Sequence, residues 1–214
     1  MRLRIITILT AIITNINCTG SRDNSKEIRI NYKGTYKVDS VYQDLSVDKG
    51  TLEKLVMSNR DFFETYTEYI HDDDQNPKNE KFNPDLYKVI DYRECDQLQH
   101  WTVFKTRNYE SFDLEPYKGI FFIITDRDQK GIANLKLAED SHTLMITSSK
   151  DSLISVIAAD NLVTTKQFMH YCSDVIDENG RMTCWTKVIT TLNKITCDKI
   201  DKIKSDTTVT KTVN

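Results

Sequence analysis

The stretch that decides the fold is residues 117–149, YKGIFFIITDRDQKGIANLKLAEDSHTLMITSS. Residues 120–125 form an apolar run rich in Ile and Phe and too short for a buried helix, so a strand is expected there. Both parities of that run are apolar, Phe122 and Ile124 on one side and Phe121 and Ile123 on the other, so both of its faces should be covered. The turn Asp126-Arg127-Asp128-Gln129-Lys130-Gly131 follows, with Gly131 free to take unusual backbone angles. Residues 132–137 alternate as a second strand, 138–142 read as a turn, and 143–147 read as a third strand. Strands on such short connections pair antiparallel, because parallel pairs need long crossovers. The expected class is therefore mostly β.

Working outward toward the N-terminus, residues 101–109 and 86–92 read as two more strands, with Cys95 in or beside their connection. Residues 48–70 divide into a short helix near 52–58, from the spacing of Leu52, Leu55 and Val56, and a strand near 61–70. Residues 27–42 alternate as a long strand with a kink at Gly34. The loop 71–84 carries Asp72, Asp73 and Asp74 without the ligand spacing of a calcium loop, so no metal site is expected. Toward the C-terminus, residues 152–159 form an apolar run. Residues 161–170 read as a short helix, with Thr164 or Thr165 as its cap. Asn179-Gly180 marks a hairpin that sets Cys172 nearly opposite Cys184. Residues 192–214, rich in Lys, Asp and Thr, read as a frayed end.

With 29 Lys and Arg against 32 Asp and Glu, the net charge of −3 gives no basic footprint for nucleic acid. Residues 1–18 read as a secretory signal: Arg2 and Arg4 precede an apolar core too short to span a bilayer. A flexible arm at 19–26, a domain at 27–197 and a flexible tail at 198–214 complete the expected layout. The expected destination is outside the cell, with no membrane span; a lipoprotein anchored at Cys18 is the alternative. Four cysteines remain beyond the signal, Cys95, Cys172, Cys184 and Cys197, an even number that allows two disulfides in three connectivities. The hairpin favours Cys172 with Cys184. No nucleophile elbow, phosphate loop or zinc-protease motif is present, and His71, His100, His142 and His170 are scattered. Neither an enzyme nor a cofactor is expected.

Gly34-Thr35-Tyr36 near the start of the mature chain, Thr125-Asp126 after a central strand, and the later segment ending near Ser149 follow one another in an order that resembles the lipocalins. Tyr36 stands where that family has Trp and Arg127 where it has Tyr. Ser148, Ser149 and Lys150 occupy the neighbourhood of its Arg. The resemblance implies an eight-stranded antiparallel up-and-down barrel with one or two short helices, and a small hydrophobic or amphipathic ligand held inside. It implies a tie from the C-terminal segment to the barrel wall, which suits Cys95 with Cys197. On this reading Phe104, Phe122, Leu135 and Met145 line the pocket. The alternative is a secreted interaction protein, or host-directed effector, with a filled barrel or sandwich that binds another protein. An exposed patch involving Tyr66, Tyr69 and Tyr109 would mark it.

Overall fold

The structure is a computed structural model that describes residues 32–63, 82–107, 117–144, 148–176 and 178–213. Among the described residues nine strands and two α-helices follow in the order β1 (Gly34–Tyr36), α1 (Lys49–Ser58), α2 (Arg60–Phe63), β2 (Tyr87–Cys95), β3 (Leu98–Arg107), β4 (Tyr117–Thr125), β5 (Gly131–Leu144), β6 (Ser148–Ile157), β7 (Leu162–Ile176), β8 (Met182–Ile195) and β9 (Ile200–Val213). Strands β2 to β9 pair in sequence order, each antiparallel to the next, and β1 pairs with β6. The chain is thus an up-and-down antiparallel sheet. The sheet is not closed, since β2 and β9 stand at opposite ends of the pairing order.

Strand β5 makes the corner of this sheet. Its residues up to Asp140 pair with β4, and those from Glu139 onward pair with β6. The register shifts between Ile120 and Phe121, where Ala138 and then Lys136 are the partners, so Leu137 is a bulged residue at the bend. The expected turn at 138–142 is therefore a bend inside one 14-residue strand, which also takes in Thr143 and Leu144 of the strand expected at 143–147; residues 145–147 lie outside the described residues. Past the corner, β5 occupies the first half of β6, and β1 takes the second half, Gly34–Tyr36 lying beside Ile157, Val156 and Ser155. Two limbs result: β2, β3, β4 and the start of β5, and the end of β5 with β6 to β9.

The alternating parity of β4 feeds two cores. Phe121 and Ile123 face α1 and α2, packing with Leu52, Leu55, Val56, Phe63 and Trp101. Ile120, Phe122 and Ile124 face into the angle between the limbs, against Tyr32, Leu137, Ile157, Val163 and Ile195. Helix α1 starts where Asp48 accepts a hydrogen bond from the backbone N–H of Thr51 at 2.9 Å. It ends at Asn59, whose side-chain amide donates to the carbonyls of Leu55 (2.6 Å) and Gln129 (2.9 Å), tying the helix to the β4–β5 turn. Gly131 is needed beside it, because a Cβ there would collide with the Asn59 side-chain oxygen.

Several expectations give way. The expected helix at 161–170 is strand from Leu162 onward, Asn161 closing a short 3-10 turn: Thr164 and Thr165 sit inside β7, paired with Leu192 and Thr191 of β8. Their branched side chains suit a pleated ribbon as well as a cap. The tail expected at 198–214 is strand β9, in register with β8 from Ile195↔Ile200 to Thr183↔Val213, so the sheet runs past residue 197 to Val213. Arg60–Phe63 is helical where a strand was expected to begin; the rest of that expected strand, residues 64–70, lies outside the described residues. The signal at 1–18 and the arm at 19–26 lie outside them as well. The long first strand reduces to Gly34–Tyr36 among the described residues.

Candidate functional site

Three of the four expected pocket residues come together. Phe122 lies opposite Leu135, and Phe104 opposite Ile120, so Phe104, Phe122 and Leu135 share the face that looks into the angle between the limbs. Met145 lies outside the described residues, as do Tyr66, Tyr69 and Tyr109. Phe122 is fully buried. The Tyr32 ring meets it edge-on at 5.3 Å and the His100 ring at 5.7 Å, so the space in front of it is taken by side chains of the chain itself.

Tyr32 and His100 belong to a clasp that joins three distant parts of the chain. His100 Nε2 lies 2.7 Å from the Cys197 carbonyl, which can only accept, so Nε2 carries the proton. Nδ1 is then the acceptor, and the Tyr32 hydroxyl donates to it at 2.7 Å. Burial, assisted by the nearby Arg93 cation, pushes the His100 pKa down and holds the ring neutral. Burial also pushes the Tyr32 hydroxyl up, so it remains a donor. The Arg93 guanidinium lies over the Tyr32 ring at 4.4 Å. Beside this clasp a disulfide joins Cys95, at the end of β2, to Cys197, in the turn between β8 and β9. The open ends of the two limbs are thereby linked covalently, although among the described residues no strand ladder links them.

The second disulfide, Cys172–Cys184, bridges directly opposite residues of β7 and β8. Two disulfides in one chain fit an oxidising compartment. No helix among the described residues is long and apolar enough to cross a membrane.

Beyond the angle between the limbs, β7, β8 and β9 continue the sheet, with β6 paired to β7 as far as Tyr171. Register places Met169 and Tyr171 of β7, Trp185, Lys187 and Ile189 of β8, and Val209 and Lys211 of β9 on the face that farther down carries the buried Val163 and Asn193. Tyr171 stacks on Trp185 at 5.3 Å with the rings 18° apart. Tyr171 is 40% exposed and Val209 56%. From Val163 to Lys211 the charged residues on this face of β7, β8 and β9 are Lys187, Lys202 and Lys211, with no carboxylate among them. Strand β9 is exposed from Asp201 to Thr212, and among the described residues no strand pairs with its outer edge. None of this was legible as a site, because β7 read as helix and β9 as tail. The signal that could have found it is the run of β-branched residues Thr207, Thr208, Val209, Thr210 and Thr212.

A separate cleft of about 520 Å³ opens between the helices and the start of β5, lined by Met57, Asn59, Arg60, Phe62, Ile132 and Asn134 among others. Its walls mix charged, amide and apolar groups, without a convergent set of catalytic side chains.

No protein-family model, no curated protein and no solved structure matches this chain.

Proposed function

We propose that this is a secreted interaction protein that binds another protein through the ribbon of β7, β8 and β9. The observation that carries the reading is the unpaired edge of β9 beside a face of stacked aromatic and lysine side chains. Every second residue of an edge strand turns its N–H and C=O away from the sheet, and a partner's extended segment can add there as a further strand. Lysines on an edge oppose indiscriminate pairing. Lys187, Lys202 and Lys211 would repel a second copy of the same face and attract acidic groups. The partner is accordingly an extended acidic and apolar segment, its acidic side chains reaching Lys187 and Lys211 and its apolar ones covering Tyr171, Trp185 and Val209.

The test is fluorescence titration with a labelled decapeptide that alternates Glu with aromatic residues. Binding to the wild-type protein should weaken at least tenfold in Trp185→Ala, at unchanged circular dichroism. Equal binding to both proteins, or none to either, would remove the reading.

A pocket for a small hydrophobic ligand, as in a lipocalin-like barrel, is the second reading. It is favoured by the common face of Phe104, Phe122 and Leu135. Entry there requires Tyr32 to leave Phe122. Saturable uptake of a fluorescent fatty acid, lost in Phe122→Asp with secretion retained, would support it; no uptake by the wild-type protein would end it.

A further inference from the structure

The two disulfides differ in their surroundings. Cys95 is buried at the clasp, and its bridge to Cys197 joins the two limbs. Cys172–Cys184 lies on the opposite face of the ribbon from the Tyr171–Trp185 stack, near the hairpin turn. Cys172 is partly exposed and Cys184 is buried. The strands they bridge are already held by continuous pairing from Leu162↔Lys194 to Cys172↔Cys184, and β8 is held on its other side by β9. The hairpin therefore keeps its ladder when this bridge opens.

A histidine stands beside it. His170, two residues before Cys172 and on the same face, places Nε2 at 3.6 Å from the Cys172 sulfur. Its other ring nitrogen lies 3.1 Å from the Thr186 hydroxyl, which is directly across the strand pair. With the Thr186 hydroxyl donating to Nδ1, Nε2 carries the proton and points it at sulfur. The three ligand-type atoms of His170, Cys172 and Cys184 all lie within 4.8 Å of one another.

We propose that Cys172–Cys184 is a thiol–disulfide exchange site, open to dithiols and to cysteine thiolates of other proteins, with His170 as the group that stabilises Cys172 as a thiolate when it leaves the mixed disulfide. An incoming thiolate attacks the accessible Cys172 sulfur. The bond to Cys184 breaks, the electron pair leaves on the Cys184 sulfur, and that sulfur takes a proton. With a dithiol, the second thiol then attacks the incoming sulfur of the mixed disulfide and closes the reagent's own disulfide. Cys172 departs as a thiolate beside His170 Nε2–H, which stabilises it. Two electrons and one proton pass from the thiol–thiolate form of the reagent to the cysteine pair, which is left as the Cys184 thiol and the Cys172 thiolate. With a monothiol partner, exchange stops at a mixed disulfide on Cys172.

Two measurements on the full secreted chain test this. In the first, native protein is treated with graded dithiothreitol, alkylated and mapped by mass spectrometry. Cys172 and Cys184 should be labelled at least ten times faster than Cys95 and Cys197, with circular dichroism unchanged. In the second, Cys184→Ala leaves Cys172 as a free thiol. Its alkylation by iodoacetamide should be several-fold faster than in the His170→Ala/Cys184→Ala double variant. Equal rates in those two variants would overturn the role of His170. Simultaneous labelling of all four cysteines, or labelling only after unfolding, would overturn the exchange site itself.

Discussion

Replacing Cys95 and Cys197 together by Ala tests how the open sheet is held. The bridge spans a sequence separation of 102 residues, against 12 for Cys172–Cys184. If a cross-link acts by restricting the unfolded chain, a loop of about 100 residues contributes about 4.7 kcal/mol and a loop of about 15 contributes about 3 kcal/mol. Removal of the long bridge should therefore cost about 1.7 kcal/mol more than removal of the short one. The structure adds to that difference. Cys95 is almost completely buried in the core between the limbs, and the Cys197 carbonyl accepts the proton of His100 at 2.7 Å. Cys172–Cys184 only reinforces a ladder that is already paired. In a domain of this size each kcal/mol moves the melting temperature by roughly 2–4 °C. Cys95→Ala/Cys197→Ala should then melt roughly 9–19 °C below the wild type. Calorimetry and urea unfolding of both double variants, compared under non-reducing conditions, give the measurement. An equal loss from the two bridges, or a larger loss from the short one, would refute the reasoning.

Three further outcomes follow from the same contacts. Burial lowers the pKa of His100 below the ordinary 6.5, so the unfolded chain takes up a proton at His100 more readily than the folded one. Its contribution to stability is whole above about pH 6.5 and is lost as pH falls toward the folded pKa. The urea midpoint should drop between pH 7.5 and pH 5, and His100→Gln should flatten that dependence; parallel curves would contradict it. Gly131→Ala forces Asn59 off its two carbonyl partners and should cost about 1–3 kcal/mol by urea unfolding; an unchanged midpoint would show that Asn59 yields freely. Lys105, buried with its ammonium 2.6 Å from the Phe63 carbonyl, should lose about 1–3 kcal/mol on change to Met, because that carbonyl is left unpaired; stability equal to the wild type would contradict it.

How far the fold could be read depended on burial. β4 was legible because both of its faces are covered, and six consecutive apolar or β-branched residues say so without reference to partners. α1 was legible because Leu52, Leu55 and Val56 fall on its one buried stripe. β9 carries no such mark. Its residues from Asp201 to Thr212 are exposed, so no apolar alternation is required of them, and pairing with β8 alone makes them a strand. β7 reads as helix for a related reason: Thr164 and Thr165 are compatible with a cap, and only the ladders to β6 and β8 select the strand. The bend in β5 looked like a turn because Glu139, Asp140 and Ser141 are polar, yet they pair with β6. Phe104, Phe122 and Leu135 share one face, but parity carries no information on what stands opposite. The space before Phe122 is filled by Tyr32, from a position far away in sequence, and by His100 of the adjacent strand β3.

The proposed partner is an acidic strand selected by the lysine-bearing, aromatic face beside the β9 edge, which is unpaired among the described residues. The most direct measurement is a charge exchange. Two labelled decapeptides, one alternating Glu with aromatic residues and one alternating Lys with the same residues, are titrated against the wild type and against Lys187→Glu/Lys211→Glu. The wild type should prefer the Glu peptide and the double variant the Lys peptide, each by about tenfold, which corresponds to roughly 1.4 kcal/mol. A preference that stays the same in both proteins would contradict the claim.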